Sequence, residues 1–238
     1  MGMGLFSWPL DGHDHSLYMK SMDNGQTMLF LGDSLCEGDW KRDPEGIGTA
    51  WPGAAKHLCR KLGGPKLIWI NRAQGGARST EVLEQWAAWK EAPPKALTVL
   101  VGANDLWRRF VPWLDHAPIS PEDYGRNLAK LLYAARERGV TEFFVCTPTA
   151  LSETPDHPWN SLLEDYRGWC REIADACGAI LVPTGEEWLA AVRSHPEVRW
   201  SYDGVHPRPI GHARLARTWL HHALGLAPLP VTERPDLG

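Results

Sequence analysis

The chain has 238 residues, a formal net charge of −4, and 43% hydrophobic and 23% charged residues. This composition is typical of a globular domain and excludes a disordered chain, and the slight excess of acidic residues argues against a surface for nucleic acids. Five cysteines without a C-x-x-C pair argue against a disulfide framework or a structural zinc site.

The two ends of the chain differ in composition from its middle. Residues 1–25 are expected to be an irregular segment, residues 26–225 a single domain, and residues 226–238 a proline-rich tail. No apolar stretch is long enough to cross a membrane, and Met1–Leu10 lacks the pattern of a signal peptide. We therefore expect no membrane insertion and a cytoplasmic location, and the tail and the tryptophans leave room for a homo-oligomer.

Short apolar runs alternate with helical patterns along the chain. Five runs predict buried strands: Met28–Leu31, Leu67–Ile70, Leu97–Val101, Phe143–Cys146 and Ile180–Val182. Apolar residues at helical spacing lie between or after them: Trp51–Leu62, Val82–Trp89, Tyr124–Ala135, Leu163–Cys177 and Ile210–Leu224. Thr184 and Glu187 are expected to form a capping box at the start of a further helix. The alternation predicts an α/β fold, an open parallel sheet with helices on both faces.

Chemically functional residues follow the ends of the predicted strands and precede the last helix. They lie in four short segments: Gly32–Leu35, Asn71–Gly76, Gly102–Asp105 and Asp203–Pro207. Ligands of open parallel sheets bind at the carboxyl ends of the strands, so these segments are expected to meet at one edge.

A serine, a histidine and an aspartate among these residues suit acyl transfer. The Ser34 hydroxyl is a weak nucleophile until a base removes its proton, and His206 has the ordinary pKa range for that base. Asp203, three residues before His206, is placed to accept a hydrogen bond from the second imidazole nitrogen.

The tetrahedral intermediate of such a reaction needs donors around its oxyanion. The backbone N–H of Ser34, a backbone N–H from the Gly75–Gly76 turn and the side-chain amide of Asn104 are the candidates.

The four segments, in this order, resemble the SGNH (GDSL) hydrolases over residues 28 to about 220. The resemblance implies a flavodoxin-like three-layer α/β/α sandwich with about five parallel strands and a carboxylic ester hydrolase that uses neither a metal nor an organic cofactor. It makes Ser34 the nucleophile, Asp203 the orienting acid and His206 the base. It makes Asn104 and one glycine oxyanion donors: Gly76 by its distance from Asn71, with Gly75 as the alternate.

Further residues resemble one branch of the family, the acetylxylan and acetyl-xylo-oligosaccharide esterases. They are Asn71–Arg72, the continuation Asn104–Phe110, Tyr202–Pro207 and Gly211–His212. This likeness implies small acyl esters as substrates, acetyl esters first, with an acetylated sugar as the candidate partner.

Aromatic residues near the motifs are candidates for contact with such a sugar. Trp107 directly follows the oxyanion segment and Tyr202 directly precedes Asp203, so both are predicted to bind substrate. Trp40 and Trp200 also lie near the motifs, although most of the 13 tryptophans are expected in the core.

Three alternatives stay open. The same catalytic groups serve lipid-directed lysophospholipases and thioesterases, and they serve acyltransferases in which a sugar hydroxyl replaces water. A non-catalytic carbohydrate-binding protein on the same scaffold is the alternative of another class. The pair His13 and His15 flanking Asp14 has metal-ligand residue types, but no third ligand is placed beside it, so no metal site is predicted.

Overall fold

A computed structural model describes residues 22–111 and 117–226. Within these ranges the chain forms five strands: β1 (Thr27–Gly32), β2 (Ile68–Asn71), β3 (Ala96–Leu100), β4 (Glu142–Cys146) and β5 (Ile180–Val182). The same ranges contain eight helices: α1 (Ser34–Glu37), α2 (Trp51–Lys61), α3 (Ser79–Ala88), α4 (Ala103–Trp107), α5 (Pro121–Glu137), α6 (Pro158–Cys177), α7 (Thr184–Ser194) and α8 (Pro209–Leu224). Each predicted strand is present within a residue of its expected bounds.

The strands form one parallel sheet in the order β2-β1-β3-β4-β5. Leu29 of β1 is in register with Ile70 of β2 on one side and with Leu97 of β3 on the other. This order is the flavodoxin-like one, in which the connection reverses direction beside β1. The end of β1 is therefore where such folds place their ligands, and the predicted fold is confirmed.

Successive residues of β1 face opposite helix layers. Met28 and Phe30 pack with α2, α7 and α8, whereas Leu29 and Leu31 pack with α3, α5 and α6. All four side chains are fully buried. A strand covered on both faces can be apolar throughout, which explains why the apolar runs located the strands so well.

Tryptophans fill the first of these layers. Trp219 of α8 lies with its ring centroid 5.5 Å from that of Phe30, 6.1 Å from that of Trp51 and 5.6 Å from that of Trp69. Offset and edge-on aromatic pairs at such distances stabilise a core beyond the area they bury. Much of the unusual tryptophan content is thus used for packing.

The predicted capping box at the start of α7 is wrong. The Thr184 hydroxyl donates to the backbone oxygen of Thr147, and the Glu187 carboxylate accepts from Thr218 and His222 of α8. Both side chains are therefore engaged in tertiary contacts rather than in capping the helix.

Parts of three predictions lie outside the described residues: most of the segment 1–25, the histidine pair at His13 and His15, and all but the first residue of the tail 226–238. The boundaries of the domain stay a prediction. None of the helices that the structure describes combines the length and the apolar composition needed to cross a membrane.

Candidate active site

The nucleophile candidate lies in a tight turn between β1 and α1. Gly32 ends β1, Asp33 caps α1 by accepting from the N–H of Leu35 (3.0 Å), and Ser34 is the first residue of that helix. A Cβ atom on Gly32 would lie 2.3 Å from the Leu100 carbonyl oxygen, so only glycine permits this approach of β1 to β3. The turn therefore delivers Ser34 directly to the carboxyl edge of the sheet.

The side chain of Asn71, the last residue of β2, holds the helix that follows this turn. Its fully buried amide donates to the carbonyl oxygens of Cys36 (2.6 Å) and Ile47 (2.9 Å), and its oxygen accepts from the N–H of Ala73 (2.9 Å). A single side chain thus ties α1 to the start of the second motif segment. Buried amides satisfied in this way hold neighbouring loops in one arrangement.

The loop before α8 carries the acid–base pair. One carboxylate oxygen of Asp203, Oδ1, accepts from the backbone N–H groups of Val205 (3.0 Å) and His206 (2.8 Å). Burial raises the pKa of the Asp203 carboxyl, but these hydrogen bonds and that from the His206 ring outweigh it, so its pKa lies below the usual value. Asp203 is consequently an anion at neutral pH.

Ser34, His206 and Asp203 form one continuous chain of hydrogen bonds. Ser34 Oγ lies 3.1 Å from His206 Nε2, and His206 Nδ1 lies 2.7 Å from Asp203 Oδ2. With the proton on Nδ1 donated to the carboxylate, Nε2 is left as an acceptor for the serine hydroxyl. The arrangement can therefore take a proton from Ser34 as its oxygen attacks.

The oxyanion candidates lie on the Gly75–Gly76 turn and on α4. Asn104 donates through Nδ2 to the carbonyl oxygen of Ala77 (3.2 Å), which leaves its second N–H available. In the part of the chain that the structure describes, the N–H groups of Gly75 and Gly76 have no protein acceptor. Gly76 has φ +75°, a conformation that residues with a side chain rarely adopt.

Arg108 contacts this turn from the end of α4. Its Nη2 donates to the carbonyl oxygen of Gly76 (3.3 Å), and its Nε is buried. Arg108 is the C-cap residue of α4, four residues after Asn104, and this spacing places both side chains on the same side of the helix, facing the Gly75–Gly76 turn.

Two buried carboxyls underlie the site. Burial, opposed chiefly by the Leu35 N–H bond, raises the pKa of Asp33 to about 7, and burial opposed by Ser79 raises that of Asp105 to about 6. Cys36 is also fully buried beside Asp33, and burial raises the pKa of its thiol well above the ordinary value. These groups support the turn from beneath rather than facing the solvent.

The four aromatic candidates for sugar contact differ in their exposure to solvent. Trp200 is 1% exposed and packs on Trp188, so the interpretation of Trp200 as a sugar-contacting residue is wrong. Trp40 is partly buried, with the Arg72 guanidinium 4.7 Å from its ring centroid. Tyr202 is the most accessible, at 59% exposure.

Trp107 belongs to a partly exposed aromatic cluster beside Asn104, together with Phe110 and Trp159. Its ring centroid lies 5.3 Å from that of Trp159 at the start of α6, and Phe110 stacks on Trp159 at 4.7 Å. Trp159 lies 52 residues beyond Trp107, so no local pattern could have linked them.

The comparisons with known proteins agree with this geometry. The model of the GDSL-like lipase/acylhydrolase family matches residues 30–214. An acetylxylan esterase from Geobacillus stearothermophilus is 23% identical over 206 residues, covering 83% of this chain and 93% of that protein.

Solved structures share the fold. A mutant of Axe2, an acetyl-xylooligosaccharide esterase from the same organism, superposes with a TM-score of 0.77 at 21% identity, over 88% of this chain and 98% of that one. LAE5, an α/β hydrolase enzyme from the metagenome of Lake Arreo, gives 0.74 at 21% identity, over 85% and 98%. Structures of Axe2 in which alanine replaces a serine, an aspartate or a histidine are described as catalytic mutants, and that aspartate and histidine lie three positions apart.

The family model covers well over half of the chain, from β1 into α8, and includes every motif segment described above. The resemblance to the SGNH hydrolases is thereby confirmed: the chain belongs to the GDSL-like lipase/acylhydrolase family and is a carboxylic ester hydrolase.

Proposed function

We propose that the protein is a serine esterase that cleaves acetyl esters through an acyl-enzyme, with Ser34 as nucleophile, His206 as general base and Asp203 as the orienting acid. The observation that carries the proposal is the hydrogen-bond chain from Ser34 Oγ to His206 Nε2 (3.1 Å) and from His206 Nδ1 to Asp203 Oδ2 (2.7 Å). It holds the imidazole in the tautomer that can accept the serine proton.

In the acylation half-reaction, Ser34 Oγ attacks the carbonyl carbon of the ester while His206 Nε2 takes the hydroxyl proton. The carbonyl oxygen of the ester becomes an oxyanion, which accepts hydrogen bonds from the N–H of Ser34, the N–H of Gly76 and the free amide N–H of Asn104. The C–O bond to the alcohol then breaks, His206 returns its proton to the departing alkoxide, and the acyl group remains on Ser34.

Deacylation repeats these steps with water. His206 takes a proton from water as its oxygen attacks the acyl carbon, and the same three donors hold the second oxyanion. The bond between Ser34 Oγ and the acyl carbon then breaks, His206 returns its proton to Oγ, and the carboxylic acid is released. Asp203, an anion throughout, stabilises the imidazolium that forms in each half-reaction.

The substrate we propose is a small acyl ester of a carbohydrate, acetyl before longer chains. The names of the similar proteins, an acetylxylan esterase and an acetyl-xylooligosaccharide esterase, support it. The side chains of His206 and Asp203 are 51% and 54% exposed, so a bulky alcohol has access to this side of the triad. Trp107 and Tyr202 supply aromatic surfaces on which a sugar ring can stack.

The catalytic mutants of Axe2 support the assignment of roles. Replacement of a serine, an aspartate and a histidine defines its catalytic variants. Ser34, Asp203 and His206 are the same three residue types, with the same spacing of three between the last two. A structure of Axe2 also exists with its tryptophan directly before that aspartate replaced, the position that Tyr202 occupies here.

The test is hydrolysis of p-nitrophenyl esters from acetate to octanoate by the wild-type protein and by Ser34→Ala. We expect acetate to be cleaved fastest and the variant to be inactive on every ester. Rates that rise with chain length would overturn the acetyl-ester proposal in favour of a lipid-directed hydrolase. Equal rates for the two proteins would overturn the role of Ser34.

A second measurement separates hydrolysis from transfer. Free acetate and acetylated acceptor are quantified after incubation with acetylated xylo-oligosaccharides, with and without added xylose as acceptor. We expect acetate as the product in both cases. Acetyl xylose as the main product would show an acyltransferase.

A further inference from the structure

The loop that carries Asp203 and His206 is organised around one buried residue, Ser201. Ser201 is 1% exposed. Its hydroxyl oxygen accepts from the N–H of Gly204 (2.8 Å), and its carbonyl oxygen accepts from Arg208 Nε (3.1 Å). It also pairs with Pro207 in an antiparallel bridge that closes the loop. The position of Ser201 therefore sets the position of the whole loop.

Burial does not hold the acid–base pair itself, because about half of each side chain is exposed. Asp203 is oriented by the loop backbone through the N–H groups of Val205 and His206. The N–H of Tyr202 donates to the carbonyl oxygen of His206 (2.9 Å). Any shift of the loop thus moves the imidazole relative to Ser34.

One side chain from outside the loop holds its buried start. The N–H of Ser201 donates to Oε1 of Glu153, a residue of the connection between β4 and α6. Beside this contact the two segments touch: a Cβ atom on Gly204 would lie 3.4 Å from Cα of Ser152. Glu153 is 48 residues away in sequence, so the contact is purely tertiary.

The connection that carries Glu153 is itself fixed. The amide of Asn160, 2% exposed, accepts from the N–H of Leu151 (2.9 Å) and donates to the carbonyl oxygens of Ser152 (2.9 Å) and Thr154 (2.9 Å). The backbone on both sides of Glu153 is thereby held in one conformation. Glu153 reaches Ser201 from a rigid support.

We propose that Glu153 is a positioning residue for catalysis: by accepting from the N–H of Ser201 it holds the Asp203–His206 loop at the distance that lets His206 reach Ser34. The inference rests on the roles proposed above for Asp203 and His206. Removing the acceptor leaves a buried N–H unpaired, which the loop relieves by moving. A small displacement of a general base lowers the rate of the chemical step far more than it lowers substrate binding.

The experiment compares Glu153→Ala, Glu153→Gln and Asp156→Ala with the wild-type protein. Glutamine keeps an acceptor oxygen at Oε1. Asp156 is a matched control, a carboxylate of the same connection that is 91% exposed and pairs only with Arg193 among the described residues. The measurements are kcat and KM for p-nitrophenyl acetate, the rate of Ser34 labelling by an organophosphate, and the melting temperature.

We expect Glu153→Ala to lower kcat and the labelling rate by about 10- to 100-fold, with KM changed by less than about twofold. Glu153→Gln and Asp156→Ala are expected to retain kcat and labelling near the wild-type values. If Glu153→Ala does not fold, Glu153→Asp replaces it: its carboxylate is one methylene short of Ser201, so it is expected to be slow where Glu153→Gln is not.

Three results would overturn the proposal: wild-type kcat in Glu153→Ala, an equal loss of kcat in Glu153→Gln, or a loss in Asp156→Ala as large as that in Glu153→Ala. His206→Ala is measured alongside to separate this proposal from the proposed function. An active His206→Ala would contradict the catalytic roles themselves, whereas an inactive His206→Ala beside a fully active Glu153→Ala would contradict only the role of Glu153.

Discussion

The carboxylate of Asp105 accepts hydrogen bonds from both the backbone N–H (3.0 Å) and the hydroxyl (2.5 Å) of Ser79. Asp105 follows Asn104 on α4. Ser79 is the first residue of α3, and only two residues separate it from the Gly75–Gly76 turn. The pair therefore fixes the side-chain donor of the proposed oxyanion hole relative to its glycine donor. Because Asp105 is fully buried, this tie is shielded from water.

Replacement of Asp105 by alanine is expected to lower both stability and activity. Two donors of Ser79 lose their acceptor in a buried site, and we expect the free energy of unfolding to fall by about 2–4 kcal/mol. Denaturant titration measures this loss, and kcat for p-nitrophenyl acetate should fall with it in the folded protein. Asp165→Ala, which removes an exposed carboxylate from α6, is the control. Equal stability of the two variants would contradict the role of Asp105.

Loss of the Asn104 amide is expected to slow the chemical step. The Asn104→Ala substitution removes one oxyanion donor, so kcat should fall about 10²–10³-fold, or about 2.7–4 kcal/mol, with little change in KM. Asn104→Asp has the same shape without a donor and should be at least as slow. Steady-state kinetics on p-nitrophenyl acetate give both values, and a wild-type kcat in either variant would remove Asn104 from the mechanism.

Trp107 is expected to bind the alcohol half of the substrate. Its partly exposed ring packs edge-on against Trp159, so Trp107→Ala opens the aromatic cluster beside Asn104. We expect KM for an acetylated xylo-oligosaccharide to rise more than KM for p-nitrophenyl acetate. Tyr202→Ala tests the other aromatic candidate in the same assay. Equal changes for both substrates would show that the ring does not contact sugar.

Asp33 makes stability depend on pH. Burial raises its pKa in the folded protein from 3.8 to about 7, so the folded state keeps a proton that the unfolded state loses. The favourable contribution of Asp33 to the free energy of unfolding is complete below about pH 4 and is lost as the pH rises through 7. Asp33→Asn does not ionise, so its stability relative to the wild type should increase by up to about 4 kcal/mol from pH 4 to pH 8.

Urea titrations of both proteins at several pH values measure this difference. Asp165→Asn, at an exposed site, should show no comparable trend. A stability difference between Asp33→Asn and the wild type that stays constant across this range would contradict an elevated pKa for Asp33.

The sequence was most informative where a local pattern has one structural solution. Strands such as Leu97–Val101 were predictable because a strand covered on both faces is apolar throughout. The motif residues could be grouped because parallel strands end at a common edge. Neither argument depends on distant parts of the chain.

Long-range contacts set the limit of prediction. Thr184 and Glu187 have the spacing of a capping box, but their side chains instead contact Thr147 and α8. The bonds of Glu153 to Ser201 and of Arg108 to Gly76 join segments that no periodicity relates. Packing decides whether such a side chain makes a local or a tertiary hydrogen bond, and a single sequence does not show the packing.

The role of Ser34 as nucleophile is tested by peptide mass mapping after inactivation by diethyl p-nitrophenyl phosphate. We expect one phosphorylated site, Ser34, labelled in proportion to the activity lost, and no label in Ser34→Ala or His206→Ala. Full inactivation with the label on another residue, or with Ser34 unmodified, would contradict Ser34 as the nucleophile.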